Sequence, residues 1–193
     1  IGAGTMGNGI AQVFAQAGCA VRLVDVEPAM LDRARGTIEK SLGRFVEKGK
    51  LRAEDRDATL DRLWTGTSVD QLADADFFIE AISEQLDAKR ALFGRLDAIA
   101  RPEAILASNT SSISITTLAS ATHRRDRVIG MHFMNPVPLM RLVELIRGHA
   151  TSPESMKVAH ELCTRLGKTP VEAEDYPGFI VNRILLPMIN EAI

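Results

Sequence analysis

Apolar residues recur along this chain in two rhythms. Ile10, Val13, Phe14 and Ala17 lie three and four apart and predict a helix that Gly18 stops. Residues 20–24 form a compact apolar run ending in Asp25, the mark of a strand. Glu27-Pro28 opens a second helix with the stripe Leu31, Ala34, Ile38, Leu42 and Phe45, closed by Gly49. A shorter helix over 53–63 makes a hairpin with it. A short strand is predicted over 65–69 and a continuous apolar one over 76–82, of the kind buried in parallel sheets.

The alternation continues. A helix carrying Leu92, Phe93, Leu96 and Ile99 breaks at Pro102. A strand spans 104–108, and Ser114 caps a helix near Ile115. Residues 127–131 form a strand reaching His132, and 142–146 form another. Ser152-Pro153 starts a helix that Gly167 ends, and Pro170 marks an edge strand over 169–172. Asp175-Tyr176-Pro177-Gly178 is the strongest turn signal. The expected division is therefore 1–175 as one α/β domain with a mostly parallel sheet, and 176–193 as the beginning of a helical one. That last helix is expected to kink or break at Pro187. Ile1 runs straight into a glycine loop that needs a strand before it, and 189–193 carries no stop signal, so a longer chain is expected.

Composition changes this picture little. Of 193 residues, 46% are hydrophobic and 25% charged, as in ordinary globular proteins. The net charge of −2 gives no global argument for nucleic acid or a membrane surface. No apolar run reaches the length of a membrane-spanning helix. Cys19 and Cys163 are far apart, offer no metal-ligand spacing, and read as core filler in a reducing compartment.

Candidate chemistry sits at strand ends. Residues 2–7 are G-x-G-x-x-G, placed before a helix and a strand that ends in an acid. Gly2 permits the tight turn, Gly4 lets backbone approach a pyrophosphate, and Gly7 lets helix and sheet pack closely. The helix N-terminus offers free N–H groups to phosphates. Asp25 is placed to accept hydrogen bonds from a ribose, and its charge favours NAD over NADP. Glu84 and Lys89 follow the carboxyl end of the 76–82 strand, where ligands sit in open α/β sheets. Asn109-Thr110-Ser111-Ser112 is either a capping loop or a ligand contact. Lys40, Ser41, Arg44 and Lys48 lie off the apolar stripe of their helix, as a solvated face or as a grip on a phosphorylated substrate.

The distinctive stretch is Gly130-Met-His-Phe-Met-Asn-Pro-Val-Pro138, followed by Glu144. An unpaired carboxylate inside an apolar run is costly. His132 is its natural partner if the proline-rich turn brings the two strands together. A carboxylate on one ring nitrogen fixes the tautomer and frees the other nitrogen to act. His123, His149 and His160 have no comparable context.

Taken with Ile1-Gly-Ala-Gly-Thr-Met-Gly7, Leu23-Val-Asp25, Ser108-Asn-Thr-Ser-Ser112, Leu142-Val-Glu144 and Pro177-Gly-Phe-Ile-Val-Asn-Arg183, the chain resembles the 3-hydroxyacyl-CoA dehydrogenase family. Met134 departs from it, standing where an aromatic is common. The resemblance implies a Rossmann-type doubly wound domain with a helical-hairpin insertion, followed by an all-α domain. It implies oxidation of (S)-3-hydroxyacyl-CoA with NAD, His132 acting as general base or acid and Glu144 orienting it. Ser111 and Asn182 would hydrogen-bond the substrate oxygen. Gly2, Gly4, Thr5, Met6, Gly7 and Asp25 would hold NAD, with Glu84, Lys89, Ser111 and Asn135 at its nicotinamide. Ser41 and Lys48 would meet coenzyme A. A homodimer through the C-terminal domain, a cytoplasmic or matrix location, and no nucleic-acid, membrane or metal partner complete the expectation. Two other readings are a dehydrogenase of free hydroxy or sugar acids and a non-catalytic NAD-binding protein.

Overall fold

The computed structural model describes residues 1–193. In chain order the elements are α1 (Thr5–Gln16), β1 (Val21–Val24), α2 (Pro28–Glu47), α3 (Ala53–Asp61), β2 (Leu63–Gly66), β3 (Phe77–Glu80) and α4 (Leu86–Ile99). They continue with β4 (Ile105–Ser108), α5 (Ile115–Ala119), β5 (Val128–Phe133), β6 (Leu142–Arg147), α6 (Pro153–Arg165), β7 (Thr169–Glu174) and α7 (Val181–Glu191).

β1 and β2 pair in parallel, and a second sheet has the order β3-β4-β5-β6-β7. All its pairs are parallel except β5–β6, which is antiparallel. Ile1 links the two sheets. Its amino group donates to Ile79 O at 2.7 Å, and its carbonyl accepts from Ala81 N at 2.8 Å. The next amide, Gly2 N, donates to Val24 O at 2.7 Å. The glycine loop is thereby set between β1 and β3, whose edges face one another across an apolar slot of about 840 Å³.

Helices cover both faces. Phe78, Leu106 and Val128 point towards α4 and α5, packing with Phe93 and Leu118. Ile129, Met131 and Leu145 point the other way, against Ile10 and Val13 of α1 and Cys163 of α6. Full burial of each such side chain is worth about 1.5–3 kcal/mol. Both faces being covered explains why β4 and β5 read as unbroken apolar runs. The stripe of α2 (Leu31, Ala34, Ile38, Leu42) packs on Leu23 and Ala11 and leaves its charged side outward.

Three sequence expectations are corrected. The strand expected over 65–69 is Leu63–Gly66, and Val69–Leu72 is a 3-10 turn capped by Ser68, whose hydroxyl accepts from Asp70 N. The helix expected over 53–63 ends at Asp61, because Leu63 and Trp64 pair in β2. α7 runs through Pro187 without a break; none of its residues is buried, so the carbonyl that loses its N–H partner has access to water.

Candidate active site

The cofactor loop has the geometry its glycines were expected to supply. Gly2 adopts φ +92°, and a Cβ there would lie 2.6 Å from Ala81 O. A Cβ on Gly7 would lie 1.7 Å from Gly2 O, so no side chain fits where α1 crosses the loop. A Cβ on Gly4 would meet nothing within 4 Å: the backbone there opens onto free space at the start of α1, beside Thr5 and Met6. Asp25 accepts from Ala3 N at 2.7 Å and from Glu27 N at 3.0 Å, so the acid at the end of β1 also braces the loop. Bare backbone, a helix N-terminus and a neighbouring carboxylate fit a dinucleotide.

A polar cluster closes the carboxyl ends of β3 and β4. Glu80 accepts from Lys89 Nζ at 2.5 Å, from Ile82 N at 2.7 Å and from the Ser108 hydroxyl at 2.6 Å. Lys89 also meets Glu84 at 3.2 Å. Glu84 in turn accepts from the Thr110 hydroxyl, from Ser111 N at 3.0 Å and from the Ser112 hydroxyl at 3.1 Å. Burial works against the Glu84 charge, but the Thr110 hydroxyl and Lys89 outweigh it and hold its pKa below the usual range. Glu84 remains partly open to solvent. The Lys89 side chain is only 1% exposed and braces Glu84 and Glu80 from within.

His132 and Glu144 are directly opposite in the antiparallel β5–β6 register, and Nδ1 lies 2.7 Å from Glu144 Oε2. The ring is 10% exposed and the carboxylate 1%. Against an ionised acceptor Nδ1 carries the proton, which leaves the Nε2 lone pair of the neutral ring free. The other Glu144 oxygen accepts from Ile180 N at 2.9 Å and Val181 N at 2.8 Å, capping α7. Burial opposes the Glu144 charge, yet His132 and these two amides hold its pKa below the usual carboxylate range. Phe179, at φ +49°, puts its ring centroid 6.0 Å from that of His132. Asn182, in the first turn of α7, donates to Ser111 O at 3.1 Å, which joins the β4 loop to the same edge.

Ser41 lies on α2 and Lys48 at its C-terminal cap. Their face borders a groove of about 640 Å³ whose other walls are the Gly4–Asn8 end of α1 and the loop from Asn135 to Leu139. Arg44 joins them there. Asn135 is exposed, and its bond to Pro136 is cis. The structure thus gathers Ser111, His132, Glu144 and Asn182 at one edge, and puts Ser41 and Lys48 on the outer wall of an adjoining groove.

Three residues have partners that the sequence reading does not assign. Glu80 had the same signal as Glu144, a carboxylate inside an apolar run. Asn109 accepts from Phe133 N at 2.9 Å and so ties the two strand ends. Asp175 accepts from the Ser114 hydroxyl at 2.7 Å and from Ile115 N and Thr116 N, anchoring the turn before α7 to α5. The sequence places Asn109 in a polar cluster and Asp175 in a turn, but their partners are distant in sequence. No group of His, Cys, Asp and Glu side chains could hold a metal ion, and no helix is long and apolar enough to cross a membrane.

A glycine loop, an acid-ended second strand and a histidine–carboxylate pair at the sheet's carboxyl edge define a nicotinamide-dependent dehydrogenase fold. Residues 1–176 match the model of the 3-hydroxyacyl-CoA dehydrogenase NAD binding domain, and the chain belongs to that family of NAD-dependent oxidoreductases. A probable 3-hydroxybutyryl-CoA dehydrogenase of Deinococcus radiodurans is 54% identical over the whole chain and 69% of its own length. The 3-hydroxybutyryl-CoA dehydrogenase of Bradyrhizobium diazoefficiens is 53% identical, with 66% of its length covered. The crystal structure of (S)-3-hydroxybutyryl-CoA dehydrogenase from Ralstonia eutropha superposes with a TM-score of 0.96 at 50% identity, covering 99% of this chain and 68% of that one. The chain therefore spans about two thirds of the length of these relatives.

Proposed function

We propose that this chain carries the cofactor-binding and proton-transfer part of an enzyme that oxidises (S)-3-hydroxyacyl-CoA to 3-oxoacyl-CoA. NAD, when bound, accepts the hydride from C3. His132 Nε2 takes the hydroxyl proton as the C–O bond becomes a carbonyl, and returns it in the reverse direction. Glu144 holds the ring and balances the imidazolium charge. General-base catalysis of this kind contributes about 10²- to 10⁴-fold. Ser111 and Asn182 hydrogen-bond the substrate oxygen, where negative charge grows as its proton passes to His132 and, in the reverse direction, as hydride reaches C3. Glu84 and Asn135 face the nicotinamide side, with Lys89 acting through Glu84. Ser41 and Lys48 receive the coenzyme A portion along the groove wall.

The observation that carries this reading is the 2.7 Å His132–Glu144 contact, with Nε2 making no hydrogen bond within the protein. Exposed apolar residues on α7, among them Ile184, Leu186 and Met188, support a role for residues 176–193 in a second domain and a homodimer contact. The test is NADH oxidation with acetoacetyl-CoA, compared with free hydroxy acids in the NAD-reducing direction. Turnover of acetoacetyl-CoA that falls at least about 100-fold in His132→Gln is expected. Equal activity in the variant would remove His132 from the chemistry, and preference for free acids would replace the substrate class.

A further inference from the structure

Lys168 has no place in the site described above, yet it holds the segment that joins the catalytic pair. α6 ends at Arg165, and Gly167 follows at φ +69°. Lys168 N then donates back to Cys163 O at 2.9 Å, a helix-ending turn that aims the side chain out of α6. Its ammonium donates to Val137 O at 2.5 Å and Met140 O at 2.8 Å. No carboxylate lies within salt-bridge distance of it. A half-buried cation with no counter-ion is costly, and the two carbonyls are its compensation.

Those carbonyls flank Pro138 and Leu139, the tip of the loop between His132 and Glu144. Within the loop, Leu139 N and Met140 N both donate to Pro136 O at 3.0 Å. On its other side the loop rests on α1: a Cβ on Gly9 would lie 2.9 Å from Val137 Cβ. The loop is held between the cofactor helix and Lys168. Its tip, with Leu139 63% exposed, forms the groove wall opposite Ser41, Arg44 and Lys48.

We propose that Lys168 is a positioning residue for substrate: it fixes the 136–140 loop so that its tip and α2 hold a constant groove width for the coenzyme A portion. This rests on the acyl-CoA reading above. The tip faces the α2 wall of the groove, whereas the dinucleotide loop borders the groove at its Gly4–Asn8 end, so loosening the tip bears on the thioester more than on the dinucleotide.

The experiment compares Lys168→Met, Lys168→Gln and Lys168→Arg in the full chain, with two readouts. In steady-state kinetics the Met and Gln variants are expected to raise KM for acetoacetyl-CoA about tenfold, the loss of charge-assisted hydrogen bonds, while the KM for NADH stays at the wild-type value. Arg, which keeps the charge and donors, restores most of it. Without substrate, amide protection at Leu139 and Met140 falls in Met and Gln and is retained in Arg. An unchanged acetoacetyl-CoA KM, or an equal rise in the NADH KM, overturns the proposal. If the wild-type protein fails to turn over acetoacetyl-CoA, the acyl-CoA reading falls by itself. The protection of Leu139 and Met140 then decides whether Lys168 fixes the loop: lost protection upholds the positioning role, and unchanged protection overturns it.

Discussion

Two buried carboxylates stand in one sheet with two strands between them, Glu80 on β3 and Glu144 on β6, and their surroundings differ. Each interrupts an apolar run, and each accepts three hydrogen bonds. Glu80 is paired with Lys89, whose side chain is 1% exposed, and every group around it is committed. Glu144 is paired with an imidazole that has a second nitrogen to spare. Burial of a carboxylate is therefore a poor marker of chemistry. The partner decides: a cation whose donors are all engaged makes a brace, whereas a ring with one free nitrogen keeps the position that the proposed base needs.

The largest expected effect separates the two on stability. Lys89→Met leaves Glu80 buried and unpaired, so urea denaturation should show a loss of about 3–5 kcal/mol, while Glu80→Gln with Lys89→Met recovers most of it. A single Lys89→Met variant as stable as wild type would break the comparison.

A smaller effect lies where the brace meets the site. Glu84→Gln keeps the shape but weakens acceptance from Ser111 N and from the Thr110 and Ser112 hydroxyls. KM for NAD should rise about tenfold with the unfolding midpoint little changed. A change in unfolding midpoint with no change in KM would assign Glu84 wholly to the brace.

The smallest effect is on pH. The folded pKa of Glu144 is depressed, so its stabilising contribution is present above the ordinary value of 4.5 and is lost as pH falls through the lower folded value. Protonation removes charge from the acceptor of Ile180 N and Val181 N. Their protection factors, read by amide exchange on an acid titration, should drop before those of the β4 and β5 core strands. Simultaneous loss throughout the sheet would mean that Glu144 does not cap α7 independently.

Much of this is legible in the amino-acid sequence. The glycine loop, Asp25, the paired signals of His132 and Glu144, and the alternation of strands and helices are local patterns, because each follows from backbone conformation, helix period or the cost of a charge in an apolar run. β2 starts two residues and ends three residues before the strand expected over 65–69, since Leu63 reads equally well as the end of α3. Of the kink or break expected at Pro187, the break does not occur: the helix continues, and its exposed surface gives water access to the carbonyl that loses its N–H partner.

What the amino-acid order determined by itself is the inventory: which elements form, and which side chains stand at their ends. Tertiary structure alone decided who meets whom. It set His132 against Glu144 through an antiparallel register, brought Glu144 under the amides of α7, and turned Lys89 inward to Glu80 and Lys168 onto the 137 and 140 carbonyls. Those pairings join residues 9 to 37 positions apart, and packing of the sheet and its helices, not local propensity, brings such distant groups within hydrogen-bond reach.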